Sequence, residues 1–261
     1  MDASGSWAAW IMTVTPEVQV FSDRSALARA AAVEIVHLAQ QAVNQRGRFL
    51  ICLSGGSTPL EAYRLLATPQ FSTELPWKRI FILWGDERMV PPDDPENNYD
   101  QAQKALLQHV PVRSDQVFRM LGELAPTLSA ADYTARLRLL ADPDMAWPRF
   151  DLVLLGLGAD GHTASLFPGQ RAAMETSQPV IAVKAAYQNR PAPRLTLTPP
   201  VFNAARCVLF LVAGAEKAAA LQASLDPGSD PLEWPARRIN PFDGQVIWLV
   251  DATAAGNQPP T

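Results

Sequence analysis

The sequence has little of what marks several large classes of protein. Only 2 of its 261 residues are cysteines, too few for a disulfide-stapled extracellular domain. No uninterrupted apolar run approaches the roughly 18 residues that a membrane span needs. Basic residues are not in excess, because 22 Lys and Arg stand against 26 Asp and Glu, a formal charge of −4. We therefore expect neither a membrane nor a nucleic-acid partner.

The N-terminal segment also lacks the pattern of a secretory signal. Trp7–Val14 is weakly apolar, but no Lys or Arg precedes it. Cys52 and Cys207 lie inside apolar runs, without the spacing of metal ligands, and are interpreted as buried small side chains. These features predict a cytoplasmic protein.

What is present is an alternation of strand and helix patterns in a chain that is 48% apolar. Continuously apolar runs, typical of strands covered on both faces, are Phe49–Leu53, Ile80–Trp84, Asp151–Leu155, Cys207–Val212 and Val246–Val250. Weaker strand candidates are Val18–Phe21, Val180–Val183 and Leu195–Thr198. Helical patterns cover Thr58–Ala67, Asn98–His109, Leu128–Leu140 and Glu216–Leu225, after a first helix capped by Ser22 or Asp23 and ended by Gly47. The alternation predicts a mainly parallel α/β sheet in one domain, 16–252, with loosely ordered ends at 1–15 and 253–261.

The loop after Phe49–Leu53 has the composition of an anion-binding turn. It reads Ser54-Gly55-Gly56-Ser57-Thr58-Pro59 and opens a helical pattern. The glycines let backbone N–H groups converge, the hydroxyls of Ser57 and Thr58 add donors, and the helix N-terminus adds partial positive charge. It is not a Walker loop, because no Gly-Lys-Ser/Thr follows. A plain strand-to-helix turn is the alternative, but the composition favours a phosphate or carboxylate site.

Charged residues directly follow the strand Ile80–Trp84, in the run Gly85-Asp86-Glu87-Arg88. Arg88 could clamp an anion through two parallel hydrogen bonds, and Asp86 could accept a proton or a hydroxyl hydrogen bond. A solvated turn with a local ion pair is the alternative. The acids further along, Asp93, Asp94 and Glu96, are interpreted as solvated turn residues.

A histidine emerges beside glycines in the loop Gly156–His162, after the strand Asp151–Leu155. The loop contains a formal Gly-x-Gly-x-x-Gly pattern, but Pro168-Gly169 leave room for only a short helical turn after it. A dinucleotide site needs a long helix there and an acid after the next strand, so that interpretation is disfavoured. His162, two residues past Asp160, is instead a candidate for proton transfer near neutral pH.

Two isolated cations, Arg194 and Lys217, follow or open predicted strands and could point at the same anion as the Ser54–Thr58 loop. Each taken alone is more typical of a surface charge. The other two histidines, His37 and His109, lie on helical segments and are interpreted as structural.

Five runs, taken in order, resemble the motif set of the 6-phosphogluconolactonases, whose relatives are the glucosamine-6-phosphate deaminases: Leu53–Pro59, Trp84–Arg88, Gly156–Pro168, Arg194–Thr198 and Val212–Lys217. The resemblance extends over about residues 18–250. It implies a doubly wound α/β fold with helices on both faces of the sheet, a sugar-phosphate ligand, and no metal or other cofactor. The deaminases carry an acid where Phe167 stands here and a tyrosine where Arg88 stands, so the lactonase is favoured.

The activity that this resemblance implies is hydrolysis of 6-phospho-D-glucono-1,5-lactone to 6-phosphogluconate in the oxidative pentose phosphate pathway. His162 would be the general base, and Asp160 or Asp86 would orient it. The phosphate would bind to the following residues: Ser54, Gly55, Gly56, Ser57, Thr58, Arg194 and Lys217, with Arg88 on phosphate or lactone. A deaminase and a sugar-phosphate-binding protein without catalysis are the alternatives. We expect a monomer.

Overall fold

The computed structural model describes residues 16–256 apart from 186, 188 and 189. Its strands are, in chain order, β1 (Glu17–Phe21), β2 (Phe49–Leu53), β3 (Ile80–Trp84), β4 (Asp86–Arg88), β5 (Val117–Phe118), β6 (Leu152–Gly156), β7 (Val180–Lys184), β8 (Pro193–Leu197), β9 (Cys207–Val212) and β10 (Gln245–Asp251). Seven of them form one parallel sheet in the order β1-β10-β9-β6-β2-β3-β5. The other three form a small antiparallel sheet in the order β4-β8-β7.

The α-helices are α1 (Arg24–Arg46), α2 (Ser57–Leu66), α3 (Pro69–Ser72), α4 (Asn98–Ala105), α5 (Pro126–Leu140), α6 (Pro199–Asn203) and α7 (Ala218–Leu225). The first begins and ends as the sequence predicts. The Asp23 carboxylate accepts a hydrogen bond from the N–H of Ala26, and Gly47 closes the helix in the left-handed conformation, at φ 74°.

Two apolar cores lie on opposite faces of the parallel sheet. Alternate residues of β2 show the division, since Phe49 and Ile51 face one core whereas Leu50 and Cys52 face the other. Helices α1 to α4 cover the first core, and α5, α6 and α7 cover the second. The sheet is therefore doubly wound, with helices on both faces.

The direction of winding reverses between β2 and β6, which are neighbours in the sheet. From β2 the chain continues outward through β3 to β5, and from β6 it continues the other way through β9 to β10. Ligands of open α/β sheets bind beyond the carboxyl ends of the strands at such a reversal. The loops that follow β2 and β6 are Ser54–Gly56 and Leu157–His162, so two of the three predicted functional loops meet at this point.

The weaker strand candidates Val180–Val183 and Leu195–Thr198 correspond to β7 and β8 of the antiparallel sheet. The run Asp86–Arg88, for which a solvated turn was the alternative, is the third strand of that sheet. Two helix boundaries were wrong. The helix predicted to reach His109 ends at Ala105, because Leu106 leaves the helical region at φ −136° and a 3-10 turn follows. A 3-10 turn also replaces the predicted start of α7.

The predicted loose ends fall mostly outside the described residues, namely 1–15 and 257–261. The described part of the tail is a turn after β10. There Ala254 is buried, and its N–H donates to the Asp251 carboxylate at 2.7 Å.

Candidate active site

A cavity of about 300 Å³ opens at the winding reversal. Its volume is at the lower end of the range for small-molecule sites. Ten of the eleven residues predicted for the site line it: Ser54, Gly55, Gly56, Ser57, Thr58, Asp86, Arg88, His162, Arg194 and Lys217. The eleventh, Asp160, lies behind the imidazole of His162 and bonds to it.

The Ser54–Thr58 loop leads into α2 and leaves the first N–H groups of that helix without a side-chain cap. Its N-cap residue is Gly56, at φ 104°, a conformation that side chains other than glycine rarely adopt. The hydroxyl of Tyr63 fixes the loop at Ser54, where it donates to the carbonyl at 2.8 Å and accepts from the N–H at 3.0 Å. A rigid turn with uncapped amides at a helix N-terminus suits an anion.

Gly55 is held against Asn98, at the start of α4. A methyl group on Gly55 would lie 2.0 Å from the side-chain oxygen of Asn98, so only glycine fits. Asn98 in turn donates from its amide to the Asp86 carbonyl at 2.9 Å. Asn98 thus connects the Ser54–Thr58 loop to β4, and the sequence analysis did not single this residue out.

His162 is bound through one ring nitrogen, Nδ1, whereas the other, Nε2, has no hydrogen-bond partner among the described residues. Its Nδ1 lies 2.5 Å from Asp160 Oδ1, and its own N–H donates to the same oxygen at 3.2 Å. The His162 side chain is 14% exposed and that of Asp160 is 35% exposed. Burial acts to raise the pKa of Asp160, but the hydrogen bond and charge of His162 outweigh it and the pKa is lowered. An ionised Asp160 favours the tautomer with the proton on Nδ1, which leaves the Nε2 lone pair free to act as a base.

The loop geometry that creates this pair depends on Gly158. Its N–H donates to the His162 carbonyl at 2.8 Å, and a methyl group on it would lie 2.0 Å from His162 Nδ1. No α-helix follows the loop between His162 and α6 among the described residues, and the first helical segment is a 3-10 turn at Arg171–Met174. This is not the architecture of a dinucleotide site.

Aromatic rings surround the imidazole. Phe167 stacks on it with ring centroids 4.4 Å apart and an interplanar angle of 23°. Tyr187 packs nearly perpendicular to it, at 4.6 Å and 73°. Tyr187 is in the β7–β8 hairpin, and no pattern in the sequence pointed to it.

Asp86 has partners other than His162. Its carboxylate accepts a hydrogen bond from the hydroxyl of Ser165 at 2.6 Å and a longer one from the Asn98 amide at 3.4 Å. Of the two carboxylates predicted to orient the histidine, Asp160 is the one that contacts it. Asp86 lines the cavity as a buried group, fixed by Ser165 from the loop after β6 and by Asn98 from the start of α4.

Arg88 and Arg194 face each other directly across the antiparallel pair β4 and β8. They are only 6% and 2% exposed. Like charges directly opposite each other are destabilising in a sheet. Arg88 Nε and Arg194 Nη2 are buried without a hydrogen-bond partner among the described residues. Both features suit an anion held between the guanidinium groups.

Local contacts orient these two arginines. Arg88 donates to the Glu96 carbonyl at 2.9 Å and to its carboxylate at 3.2 Å, so Glu96 is not simply the solvated turn residue that the sequence suggested. The Arg194 guanidinium donates to the Pro191 carbonyl and lies over the Phe167 ring, 5.2 Å from its centroid. Burial, together with the charges of Arg88 and Arg190, lowers the pKa of Arg194.

Lys217 enters the cavity from the 3-10 turn after β9, and burial lowers the pKa of its ammonium. Arg24 and Arg190 also line the cavity and were missed in the sequence. A signal for Arg24 existed, because a cation in the first turn of a helix opposes the helix dipole. The two other histidines, His37 and His109, are exposed and do not line the cavity.

Glu87 is buried beneath the site and was not singled out in the sequence. Its carboxylate accepts hydrogen bonds from the backbone N–H groups of Arg88, Asn98 and Tyr99, at 2.8, 2.6 and 2.9 Å. Burial nevertheless raises its pKa to about 7. It joins β4 to the start of α4, which also carries Asn98. In the part of the chain that the structure describes, no three His, Cys, Asp or Glu side chains come together as a metal centre would need.

The family model described as glucosamine-6-phosphate isomerases/6-phosphogluconolactonase matches residues 22–248. The chain belongs to this family. Within it, the chain is 39% identical over 239 residues to the 6-phosphogluconolactonase of Nostoc sp., an alignment covering 91% of this chain and 96% of the relative. It is 37% identical over 251 residues to the 6-phosphogluconolactonase of Mycobacterium tuberculosis, covering 94% and 100%.

Solved structures of family members have the same fold. The 6-phosphogluconolactonase from Trypanosoma brucei superposes with a TM-score of 0.83 at 31% identity, covering 94% of this chain and 99% of that one. A monomeric glucosamine-6-phosphate deaminase superposes with a TM-score of 0.78 at 21% identity, a likeness of fold alone. Among the described residues, no helix is both long and apolar enough to cross a bilayer.

Proposed function

We propose that this chain, through a single domain at 16–252, hydrolyses 6-phospho-D-glucono-1,5-lactone to 6-phosphogluconate. The observation that carries the proposal is one cavity lined by both a histidine–carboxylate pair and an uncapped helix N-terminus with buried cations. Its 6-phosphogluconolactonase relatives at 35–39% identity support the choice of substrate.

The phosphate of the substrate binds to the Ser54–Thr58 loop, on its backbone amides and hydroxyls. Arg194 and Lys217 neutralise its charge, and Arg88 acts on phosphate or lactone from the opposite strand. Buried guanidinium groups suit this role because their charge-assisted hydrogen bonds to phosphate are strong and directional.

His162 Nε2 then removes a proton from a water molecule, whose oxygen attacks the lactone carbonyl carbon. The tetrahedral intermediate collapses with cleavage of the bond between that carbon and the ring oxygen. The imidazolium returns its proton to the departing ring oxygen, which becomes a hydroxyl group, and the new carboxylic acid ionises in water. Asp160 stabilises the imidazolium between the two proton transfers. General acid–base catalysis of this kind accelerates a reaction by about 10²–10⁴-fold.

The alternative within the family is the deaminase. In the deaminases an acid assists ring opening through the histidine, whereas here the ring of Phe167 stacks on the imidazole. Phenylalanine has no group that could take up or hand on a proton, so this site favours lactone hydrolysis.

The test compares acid release from freshly generated lactone, above the spontaneous background, with ammonia release from glucosamine 6-phosphate. For the wild type we expect hydrolysis of the lactone and no ammonia release. In His162→Ala we expect turnover of the lactone to fall about 10²–10⁴-fold while the affinity for phosphate is nearly unchanged. His37→Ala, at an exposed helical position, is the matched control. Ammonia release would favour the deaminase, and phosphate binding without either reaction would favour a binding protein.

A further inference from the structure

Two aromatic rings pack against the imidazole of the candidate base and form one cluster with it. Phe167 and His162 stack, Tyr187 packs against His162 at 4.6 Å, and the rings of Phe167 and Tyr187 are 6.1 Å apart. Phe167 is buried in the loop that carries His162, whereas Tyr187 comes from the separate β7–β8 hairpin. The imidazole is therefore held between two elements distant in sequence.

We propose that Tyr187 is a positioning residue, whose ring holds the imidazole of His162 in the orientation that pairs Nδ1 with Asp160. The proposal rests on the proposed function, in which Nε2 must face the substrate. The ring does this by contact alone and takes no part in proton transfer.

The hydrogen bond to Asp160 is not sufficient to fix the imidazole. The Asp160 side chain is 35% exposed and sits only two residues away, in the same loop. Rotation of the imidazole about its bond to Cβ would carry Nδ1 away from Asp160 and, after a half-turn, put ring carbons where the two nitrogens stand. Phe167, stacked on the ring, limits this rotation from one direction only. Tyr187, at 73° to the imidazole, blocks it from another. Perpendicular aromatic pairs are favourable arrangements, so the contact is a stable one.

Tyr187 lines the cavity, and its hydroxyl is buried without a hydrogen-bond partner among the described residues. The hydroxyl therefore contributes no hydrogen bond to the fold, and what the side chain does for the imidazole it does through its ring. Removing the hydroxyl alone separates this role from substrate binding. Tyr187→Phe should therefore preserve function, and Tyr187→Leu should impair it.

The experiment measures both kinetics and the state of the imidazole. In Tyr187→Leu we expect kcat about 3- to 10-fold lower with KM changed less than twofold, as for loss of one aromatic contact. In Tyr187→Phe we expect kcat within twofold of the wild type. Imidazole ¹⁵N NMR is tractable because the chain has 3 histidines, and His162→Ala assigns the signal. The ¹⁵N chemical shifts of His162 should move toward those of the exposed His37 in Tyr187→Leu but not in Tyr187→Phe.

The NMR measurement is independent of catalysis, so it tests the positioning role even if the chain proves not to hydrolyse the lactone. Unchanged His162 shifts in Tyr187→Leu would overturn the proposal. So would a several-fold rise of KM in Tyr187→Phe, because that result would assign the hydroxyl to the substrate.

Discussion

Adding one methyl group at Gly158 should disable the site while leaving the fold intact. An alanine Cβ there would lie 2.0 Å from His162 Nδ1 and 2.4 Å from Asp160 Oδ1, both too close for any real contact. Gly158 is not among the glycines with positive φ, so alanine fits its backbone conformation. The clash therefore falls on the histidine–carboxylate pair, which must separate.

The expected loss follows from what the pair contributes. General acid–base catalysis is worth about 10²–10⁴-fold, so Gly158→Ala should lower kcat by about a hundredfold or more. Affinity for inorganic phosphate should change little, because the Ser54–Thr58 loop is a separate segment. The assay is acid release from fresh lactone, together with the ¹⁵N shifts of His162. Gly156→Ala is the structural control, since a methyl group there meets nothing within 4 Å, and its His162 shifts should match the wild type.

A double-mutant cycle decides whether the damage acts through the imidazole. In the His162→Ala background the imidazole is absent, and Asp160, the other residue that the methyl group would meet, has no base to orient. Gly158→Ala should therefore lower kcat by less than a further threefold or so. A full hundredfold loss in that background would refute this reasoning, as would wild-type kcat in the single variant.

Three further predictions concern charge. Burial raises the pKa of Glu87 from its ordinary 4.5 to about 7, so its contribution to the free energy of unfolding is fully present below pH 4.5 and is lost as the pH rises through 7. We therefore expect the free energy of unfolding of the wild type, measured in urea, to fall by about 3 kcal/mol relative to that of Glu87→Gln as the pH rises from 4.5 through 7. A difference between the two proteins that does not change with pH would contradict this. Arg194→Met should weaken the binding of inorganic phosphate, measured by calorimetry, by about tenfold to a hundredfold. An affinity equal to that of the wild type would remove Arg194 from the anion site. Asp160→Asn should lower kcat about a hundredfold or more by destabilising the imidazolium, and retention of wild-type kcat would exclude that role.

The parallel sheet could be predicted because its strands carry their own signal. Buried on both faces, β2, β3 and β9 are continuously apolar, and turn residues mark their ends. The anion loop and the histidine loop were predictable for a related reason, since each lies at the end of such a strand. At the end of a buried strand, glycines next to hydroxyl residues or next to a histidine are an unusual combination, which is what marked both loops.

The antiparallel sheet could not be predicted from local pattern. The polar residues of β4 have the composition of a turn, yet they are buried, because each finds a partner elsewhere in the chain. Backbone N–H groups of α4 donate to Glu87, the Ser165 hydroxyl donates to Asp86, and Arg88 donates to Glu96. The partner of Asp86 in the ladder is Thr196, far away in the sequence. Tyr187 and Arg190 are brought to the cavity by the hairpin of that same sheet, so they were missed with it.

The charge of the cavity is opposite to the charge of the chain. Although the formal net charge is −4, the described residues that line the cavity include five cationic side chains and two carboxylates. Arg88 and Arg194 are paired across the ladder of β4 and β8, and both are buried, so their charges are confined to the same small region. Folding therefore brings two like charges together, only one of which is paired with a carboxylate among the described residues, that of Glu96, and an anion bound between the two arginines would offset their repulsion. The small sheet thus supplies the electrostatic half of the site, while the carboxyl ends of β2 and β6 supply the amides and the base.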